Sequence, residues 1–286
     1  MTLVDFFLIS MIVGLAVLAL LYWFFGSLSC RLIYKPRQKF KRASASQLPT
    51  GTENITLLTG DHIRLRALMV PRSEDGPLSK HELSPIALFC HSGVGDIMQR
   101  TARMEAFRKL GVDSLFFDYR GYGGNKGRPT EEGLYRDATS ALHHLVYKRG
   151  INPARIILYG QSLGAAVATH LAFRQPCAAL ILESAFPRLK DLVEVARPFY
   201  PTRFVSNSYN IIDPIHRIRC PKLMIHSMED QQAPLLRCLA LFKNVPPPKE
   251  LLILRGRNDS CAEESLQNWS EGMGHFLNAH LVKENL

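Results

Sequence analysis

Several features are scarce in this sequence, and each scarcity excludes a class of protein. Six cysteines among 286 residues are too few for a small disulfide-stabilised scaffold, and no two of them form a CxxC motif. The chain has no internal repeat and no low-complexity tract. A hydrophobic content of 47% with 21% charged residues also excludes an intrinsically disordered protein. The length is therefore enough for one large globular domain.

Acidic residues are missing from the segment that carries much of the positive charge. The formal net charge is +10, and removing the first 42 residues halves this excess. Residues 31–42 contain no acid and six basic residues, namely Arg31, Lys35, Arg37, Lys39, Lys41 and Arg42. Since the excess is concentrated in one short run and no nucleic-acid-binding motif is present, the charge favours a membrane flank over a nucleic-acid partner.

Charge of either sign is missing from residues 6–30, and residues 6–26 are almost wholly apolar. As a helix, this run of about 21 residues reaches about 31 Å, which matches the hydrocarbon thickness of a bilayer. A cleaved signal peptide would begin with basic residues, whereas this chain begins MTLVD. The sequence therefore predicts a transmembrane anchor over residues 1–30, a basic linker over 31–50 and a folded domain over 51–286.

The orientation of this anchor is predicted from its flanks. Basic residues beside a membrane segment tend to stay in the cytoplasm, which places the folded domain there. Scattered cysteines in apolar runs are typical of reduced thiols and agree with that side. Three glycosylation sequons, at Asn54, Asn258 and Asn268, point the other way. Because sequons often arise by chance, we give the charge rule more weight and predict a single-pass protein with a cytoplasmic domain.

The folded domain alternates short apolar runs with helical patterns. Residues 55–58 and 63–70 flank a glycine-containing turn and predict an antiparallel hairpin. Six further runs predict strands buried on both faces, at 85–90, 114–119, 155–160, 178–183, 222–226 and 251–254. Helices are predicted at 98–110, 131–148, 163–173, 235–242 and 263–281, and an irregular cap at 187–219. This order predicts an α/β fold with a mostly parallel sheet and helices on both faces.

A candidate nucleophile lies between a predicted strand and a predicted helix. Residues 160–164 read Gly-Gln-Ser-Leu-Gly, a G-x-S-x-G motif in the strand–turn–helix context that this motif requires. The glycines allow a tight turn that exposes the hydroxyl of Ser162. The N–H of Leu163 at the helix start is a candidate oxyanion donor. We predict Ser162 as the nucleophile.

Two further strand ends supply the rest of a candidate site. The loop at 91–95 is rich in small residues, and the N–H of Gly93 is the candidate second oxyanion donor, whereas His91 is interpreted as a structural residue. The loop at 227–234 carries Asp230, which follows the serine in chain order and would orient a base. His226 is interpreted as a structural strand-end residue.

These motifs together resemble the α/β-hydrolase-domain-containing membrane proteins, a group akin to serine aminopeptidases and acyl-protein thioesterases. The residues that carry the resemblance span 50–281 and include the segments 91–95, 118–123, 131–137, 160–164 and 181–186. The resemblance implies an α/β-hydrolase fold and cleavage of an ester, thioester or amide through an acyl-serine, without metal or organic cofactor. With a membrane anchor, it implies the membrane and a lipid-like or acylated substrate as partners.

The position of the catalytic base departs from that family's pattern. Its last strand usually leads into Gly-His-Asn-Asp, whereas this chain reads Gly256-Arg-Asn-Asp259 and has Arg257 at the position of the histidine. Arginine stays protonated and cannot accept the proton of Ser162. One alternative is a different base, His275 or the less favoured His280.

The second alternative is a non-catalytic relative that binds acyl groups or proteins. The third is a function without histidine, in which Arg257 binds an anionic group near Asp230. An ion pair between Arg257 and Asp230 is the structural expectation, and it would occupy the acid.

Overall fold

The computed structural model describes residues 3–36, 48–79, 84–196, 199–205, 208–230, 233–256 and 263–281. The strands, in chain order, are β1 (Lys35–Pro36), β2 (Glu53–Leu58), β3 (Arg64–Val70), β4 (Ile86–Cys90), β5 (Val94–Gly95), β6 (Asp113–Phe117), β7 (Ile156–Gln161), β8 (Ala179–Glu183), β9 (Lys222–Ser227) and β10 (Lys249–Leu254). The α-helices are α1 (Leu3–Ile33), α2 (Thr101–Leu110), α3 (Glu131–His143), α4 (Leu163–Arg174), α5 (Leu189–Ala196), α6 (Ile212–Ile215), α7 (Leu235–Asn244) and α8 (Glu263–Leu281).

Eight strands form one sheet in the order β10-β9-β8-β7-β4-β6-β3-β2. The six strands from β10 to β6 are parallel, and β3 and β2 complete the sheet as antiparallel neighbours. The predicted hairpin is thus confirmed as β2 and β3, and each of the six predicted apolar runs forms a strand. Strand β7, which leads into Ser162, lies in the middle of the sheet, where loops from β4 and β8 flank its carboxyl end.

Side chains from the two faces of the sheet form two hydrophobic clusters. In β4, for example, Leu88 belongs to the cluster that includes residues of α3, α4 and α7, whereas Phe89 belongs to the cluster that includes residues of α2 and α8. Both residues are fully buried, which explains why the central strands read as continuous apolar runs without alternation. At the start of α3, the Oγ1 of Thr130 accepts the Gly133 N–H at 3.0 Å and so caps the helix.

Helix α1 contains the apolar segment near the N-terminus. It is 31 residues long, and every side chain described between residues 5 and 20 is exposed. Among the residues that the structure describes, no helix is long and apolar enough to cross a membrane. The transmembrane anchor therefore stays a prediction. Most of the predicted linker, residues 37–47, lies outside the described residues.

The segment predicted as an irregular cap contains more helix than expected. Helix α5, a 3₁₀ turn at Thr202–Phe204 and helix α6 lie within residues 187–219. Predicted helix 98–110 likewise begins as a 3₁₀ turn at Ile97–Arg100, and helix 131–148 ends as a π-helical turn at His144–Lys148. Hydrophobic spacing does not separate these closely related helical geometries.

Candidate active site

Ser162 sits at the turn between β7 and α4 in a strained backbone conformation. Its φ is +53° and its ψ is −114°, a region that residues other than glycine rarely occupy. The turn is held from both sides, because the Ser162 N–H donates to the Glu183 carbonyl at 2.8 Å and its own carbonyl accepts the Ala165 N–H at 2.9 Å. This geometry is the one that the G-x-S-x-G motif predicts.

The two glycines of the motif allow the chain to pass close to itself. A Cβ on Gly160 would lie 2.5 Å from the Cα of Ala165, and a Cβ on Gly164 would lie 2.6 Å from the His91 carbonyl oxygen and closer still to that of Cys90. Neither position has room for a side chain. The elbow is therefore packed directly against the end of β4 and the loop that follows it.

The two candidate oxyanion donors are neighbours. A Cβ built on Gly93 would lie 3.2 Å from the Cδ2 of Leu163, so the loop after β4 passes over the start of α4. Leu163 is the first residue of α4, where backbone N–H groups have no partner within the helix. The described structure thus brings Ser162, Leu163 and Gly93 together. Their catalytic roles remain predictions.

The loop at residues 91–95, called the oxyanion loop here for its predicted role, is held from outside by the chain that leaves α1. The Gly93 carbonyl accepts the Lys35 N–H at 2.8 Å and the Tyr122 hydroxyl at 2.9 Å. Strand β1 pairs with β5 in parallel, with Lys35 opposite Val94. Next to it, the hydroxyls of Tyr34 and Tyr209 lie 2.8 Å apart. The segment after α1 therefore connects the oxyanion loop to the cap.

His91 is a structural residue in this fold, in agreement with its interpretation from the sequence. Its ring is fully buried between Tyr119 and Tyr122, and its Nδ1 lies 2.6 Å from the Ser92 carbonyl oxygen. Its Nε2 lies 3.8 Å from Asp118 Oδ1. Burial lowers the pKa of His91 to about 3 and raises the pKa of Asp118 to about 7.

Glu183 supports the turn at Ser162 from the face of the sheet that is opposite to α4. While its carbonyl holds the Ser162 N–H, its buried carboxylate accepts bonds from Arg103 at 3.0 Å and Gln161 at 3.2 Å, and a short one from the Tyr159 hydroxyl. The Trp269 Nε1–H donates to the same Tyr159 hydroxyl at 3.0 Å. These charge-assisted bonds fix the end of β8, and so the carbonyl that holds the Ser162 N–H.

Asp230 lies at the same carboxyl edge of the sheet, in the loop after β9. Its Oδ1 accepts the Ala233 N–H at 2.9 Å, which closes the loop into a turn. The preceding His226 is fully buried, and its Nε2 lies 2.7 Å from the Ala233 carbonyl oxygen. His226 therefore shapes this loop, as interpreted from the sequence.

The residues proposed for the base differ in what the structure shows of them. Arg257 lies outside the described residues, and so does its proposed ion pair with Asp230. His275 is exposed in the middle of α8, on the sheet face opposite to α4. His280, one turn further on, has its Nε2 2.7 Å from Glu250 Oε1.

A small, open pocket lies beside the loop that carries Asp230. Phe186, Leu192 and Val195 line one side, and Ala233, Pro234 and Arg237 line the other. The pocket is thus formed between the start of the cap and the turn that Asp230 closes.

Sequence reasoning assigned no role to Glu183, Arg103 or Tyr34. Glu183 lies in the segment 181–186 that carries the family resemblance, and a glutamate at the end of an apolar strand is a signal for a functional role. No comparable signal marks the other two residues, because their partners are distant in sequence. Among the described residues, no cluster of three or more side chains suited to a metal ion is found.

Comparison with known proteins identifies relatives in sequence. The family model of serine aminopeptidase S33 matches residues 81–207. An uncharacterised protein of Mycobacterium tuberculosis is 36% identical over 234 residues, which cover 82% of this chain and 81% of that protein. The alpha/beta hydrolase domain-containing protein 17C of Xenopus tropicalis is 33% identical over 195 residues, which cover 68% of this chain and 62% of that protein.

Solved structures share the fold at lower sequence identity. An esterase of Pyrococcus furiosus superposes with a TM-score of 0.71 at 17% identity, over 87% of this chain and 98% of the esterase. The esterase domain of a Rhodothermus marinus protein gives a TM-score of 0.61 at 20% identity, over 81% of this chain and 99% of that domain. At these identities the likeness concerns the fold alone.

Proposed function

Because the chain belongs to the α/β-hydrolase superfamily, with serine aminopeptidase-like and esterase-like relatives, we propose that it is a serine hydrolase that cleaves an ester or thioester. The strained backbone of Ser162 is the observation that carries this proposal. Strain of this kind persists only where surrounding contacts enforce it, and here it presents the hydroxyl at the carboxyl edge of the sheet.

In the proposed reaction, the Oγ of Ser162 attacks the substrate carbonyl carbon and loses its proton to a base. The negative charge that develops on the carbonyl oxygen is stabilised by the N–H groups of Leu163 and Gly93. Collapse of this intermediate expels the alcohol or thiol and leaves an acyl group on Ser162, which water then removes. By its position in chain order, Asp230 orients the base.

A second function is favoured by the sequence at the base position. Arg257 cannot accept a proton, and loss of the triad histidine typically lowers turnover by about 10⁴–10⁶. The second candidate is therefore a non-catalytic relative that binds acyl groups or proteins at the same cleft.

The substrate class is proposed from the pocket and from α1. The small pocket beside the loop that carries Asp230 is lined largely by apolar side chains, which favours an apolar group of the substrate over a charged one. The apolar, exposed side chains of α1 support a single-pass membrane anchor, and the basic segment 31–42 favours a hydrolase domain in the cytoplasm. A lipid-like or acylated substrate at the membrane follows from both. A chain-length series of soluble esters tests this, and hydrolysis indifferent to acyl length would contradict it.

Fluorophosphonate labelling of the membrane-bound protein tests catalysis itself. We expect the wild type to label and Ser162→Ala not to label. Ser184→Ala is the matched control, because Ser184 also has a positive φ, of 51°, at the end of a strand but lies outside the motif. If only Arg257→His labels, the chain is the non-catalytic relative. If Ser162→Ala labels as well as the wild type, the proposed nucleophile is wrong.

A further inference from the structure

Two cysteines meet at the end of the sheet opposite to Ser162. Cys177 lies in the turn between α4 and β8, and Cys220 lies two residues before β9. Because β8 and β9 are parallel neighbours, the segments that precede them lie side by side at the amino edge of the sheet. Both side chains are partly exposed, whereas Cys90 and Cys238 are fully buried.

The two sulfur atoms are already in contact. The Cys177 thiol donates to the Cys220 Sγ at 3.4 Å, across 43 positions of sequence. The backbone beside them is fixed, since the Leu180 N–H donates to the Pro221 carbonyl at 2.9 Å. A disulfide has an S–S length of about 2.05 Å, so a closure of little more than 1 Å separates the two states. Rotation of the side chains can supply this movement without separating the strands.

The charges around the pair make the two thiols unequal. The bond from the Cys177 thiol, together with the Lys222 ammonium, lowers the pKa of Cys220. The same bond and burial raise the pKa of Cys177. The Lys222 Nζ is held in place by the carbonyls of Cys220 at 2.7 Å and Ile218 at 3.1 Å. Cys220 is therefore the better thiolate, whereas burial raises the pKa of Cys90 and Cys238 to about 12.

We propose that Cys177 and Cys220 form a reversible redox site that closes to a disulfide on reaction with a small disulfide of the glutathione type. The Cys220 thiolate attacks one sulfur of the oxidant, forms a mixed disulfide and expels one glutathione thiolate. Cys177 loses its proton and attacks the Cys220 sulfur, which forms the internal disulfide and expels the second thiolate. Two protein thiols are oxidised, and one glutathione disulfide is reduced to two glutathione molecules.

This disulfide would connect two structural parts of the hydrolase domain. Cys177 follows the helix that starts at the nucleophile, and Cys220 ends the cap segment that separates β8 from β9. The link would close a loop between two cysteines that are 43 positions apart, and such a loop restricts the conformations of the unfolded chain. The oxidised protein is therefore expected to melt at a higher temperature than the reduced protein.

The test equilibrates the full-length protein, in detergent, with buffers of increasing glutathione disulfide-to-glutathione ratio. Samples are quenched in acid, alkylated and mapped by peptide mass spectrometry. We expect a linked pair of peptides that contain Cys177 and Cys220, its loss on addition of dithiothreitol, and a melting temperature raised by about 5–10 °C on oxidation. Cys177→Ser and Cys220→Ser are expected to abolish the shift. Cys238→Ala, which removes a buried thiol on α7, is expected to keep it.

The proposal is overturned if both thiols remain fully alkylated at the highest oxidant ratio. It is equally overturned if the link forms only in urea, or if oxidation joins either cysteine to Cys30 or Cys261 instead. None of these readouts uses hydrolysis. The redox site and the proposed hydrolase function can therefore fail independently.

Discussion

At the scale of single residues, the backbone of the candidate site is strained and closely packed, so few substitutions fit there. Ser162 is strained, and Gly164 lies against the carbonyls at the end of β4. His91, after β4, and Asp118, after β6, are both fully buried, and the Nε2 of His91 lies 3.8 Å from the Oδ1 of Asp118. Each feature leads to a test on a single substitution.

Gly164→Ala is expected to destabilise the protein and to prevent labelling of Ser162. The new Cβ would lie 2.6 Å from the His91 carbonyl oxygen, so the strand or the helix must move. We expect the free energy of unfolding in urea to fall by about 2–3 kcal/mol. Gly274→Ala is the control, because its Cβ would meet only Leu110 Cδ2, at 3.6 Å, in helix α8. This control should raise the stability by about 0.5–1 kcal/mol, and equal effects of the two substitutions would contradict the argument.

Asp118→Asn is expected to change how stability depends on pH. The pKa of Asp118 is raised to about 7. Its contribution to the free energy of unfolding therefore falls as pH rises from about 4 to 7. The pKa of His91 is lowered to about 3. Its contribution to the free energy of unfolding therefore rises as pH rises from about 3 to 6.5. Between about pH 4 and 6.5 the two slopes oppose each other.

When the carboxyl of Asp118 is removed, only the pH dependence of stability that comes from His91 remains. Relative to the wild type, the free energy of unfolding of Asp118→Asn should therefore rise with pH, by up to about 1 kcal/mol per pH unit between about pH 4 and 6.5. Urea titrations at several pH values measure this slope. Asp75→Asn changes an exposed carboxylate and serves as the control. Parallel curves for the wild type and Asp118→Asn would show that the pair does not titrate in this way.

At the scale of elements, the short strand β1 links α1 to the oxyanion loop. Its Lys35 N–H bonds to the Gly93 carbonyl, and Tyr34 beside it contacts Tyr209 of the cap. The geometry of the oxyanion loop thus depends on a segment that precedes the hydrolase domain in sequence. A membrane anchor at α1 would therefore act directly on this loop.

Lys35→Pro is expected to loosen the oxyanion loop, because proline has no N–H to donate to Gly93. Loss of a bond worth about 1 kcal/mol corresponds to roughly fivefold faster amide exchange in the segment 91–95. Hydrogen exchange followed by mass spectrometry measures this rate. Lys35→Ala keeps the N–H and should exchange as the wild type does. Faster exchange in both variants would assign the effect to the lysine side chain instead.

At the scale of the whole molecule, the two ends of one sheet carry different chemistry. The carboxyl edge carries the nucleophile elbow, the oxyanion loop and Asp230, and the amino edge carries the thiol pair. The basic segment 31–42 and α1 stand before this domain and set its predicted orientation. That orientation can be tested on the full chain.

Replacement of Lys39, Lys41 and Arg42 by Gln is expected to lower the fraction of molecules with a cytoplasmic domain. Basic residues near a membrane segment hold that side in the cytoplasm, and these three are half of the six in the segment 31–42. Protease protection in sealed membrane vesicles measures the fraction. Replacement of Lys109, Lys126 and Lys190, three exposed lysines of the folded domain, is the control and should change nothing. An unchanged orientation in the first variant would contradict the charge rule.

The sequence by itself determined the strands, the helices and the nucleophile elbow of this protein. Each is encoded locally, as an apolar run, a helical period or five residues at fixed spacing, so neighbours in sequence are enough to read it. Prediction from the local sequence was less accurate within the cap, where helices α5 and α6 are found in place of the expected irregular chain. It also predicts that Arg257 occupies the position of the catalytic histidine, and this stays a prediction because Arg257 lies outside the described residues.

Only the tertiary structure decided which distant residues meet. Arg103 and Glu183 are 80 positions apart, Tyr34 and Tyr209 are 175 apart, and Cys177 and Cys220 are 43 apart. Such contacts depend on the order of strands in the sheet and on which loops share an edge. No local pattern specifies that order, because the same apolar run forms a strand at any position in a parallel sheet. The support beneath Ser162, the link from α1 to the oxyanion loop and the thiol pair therefore emerge only from the fold.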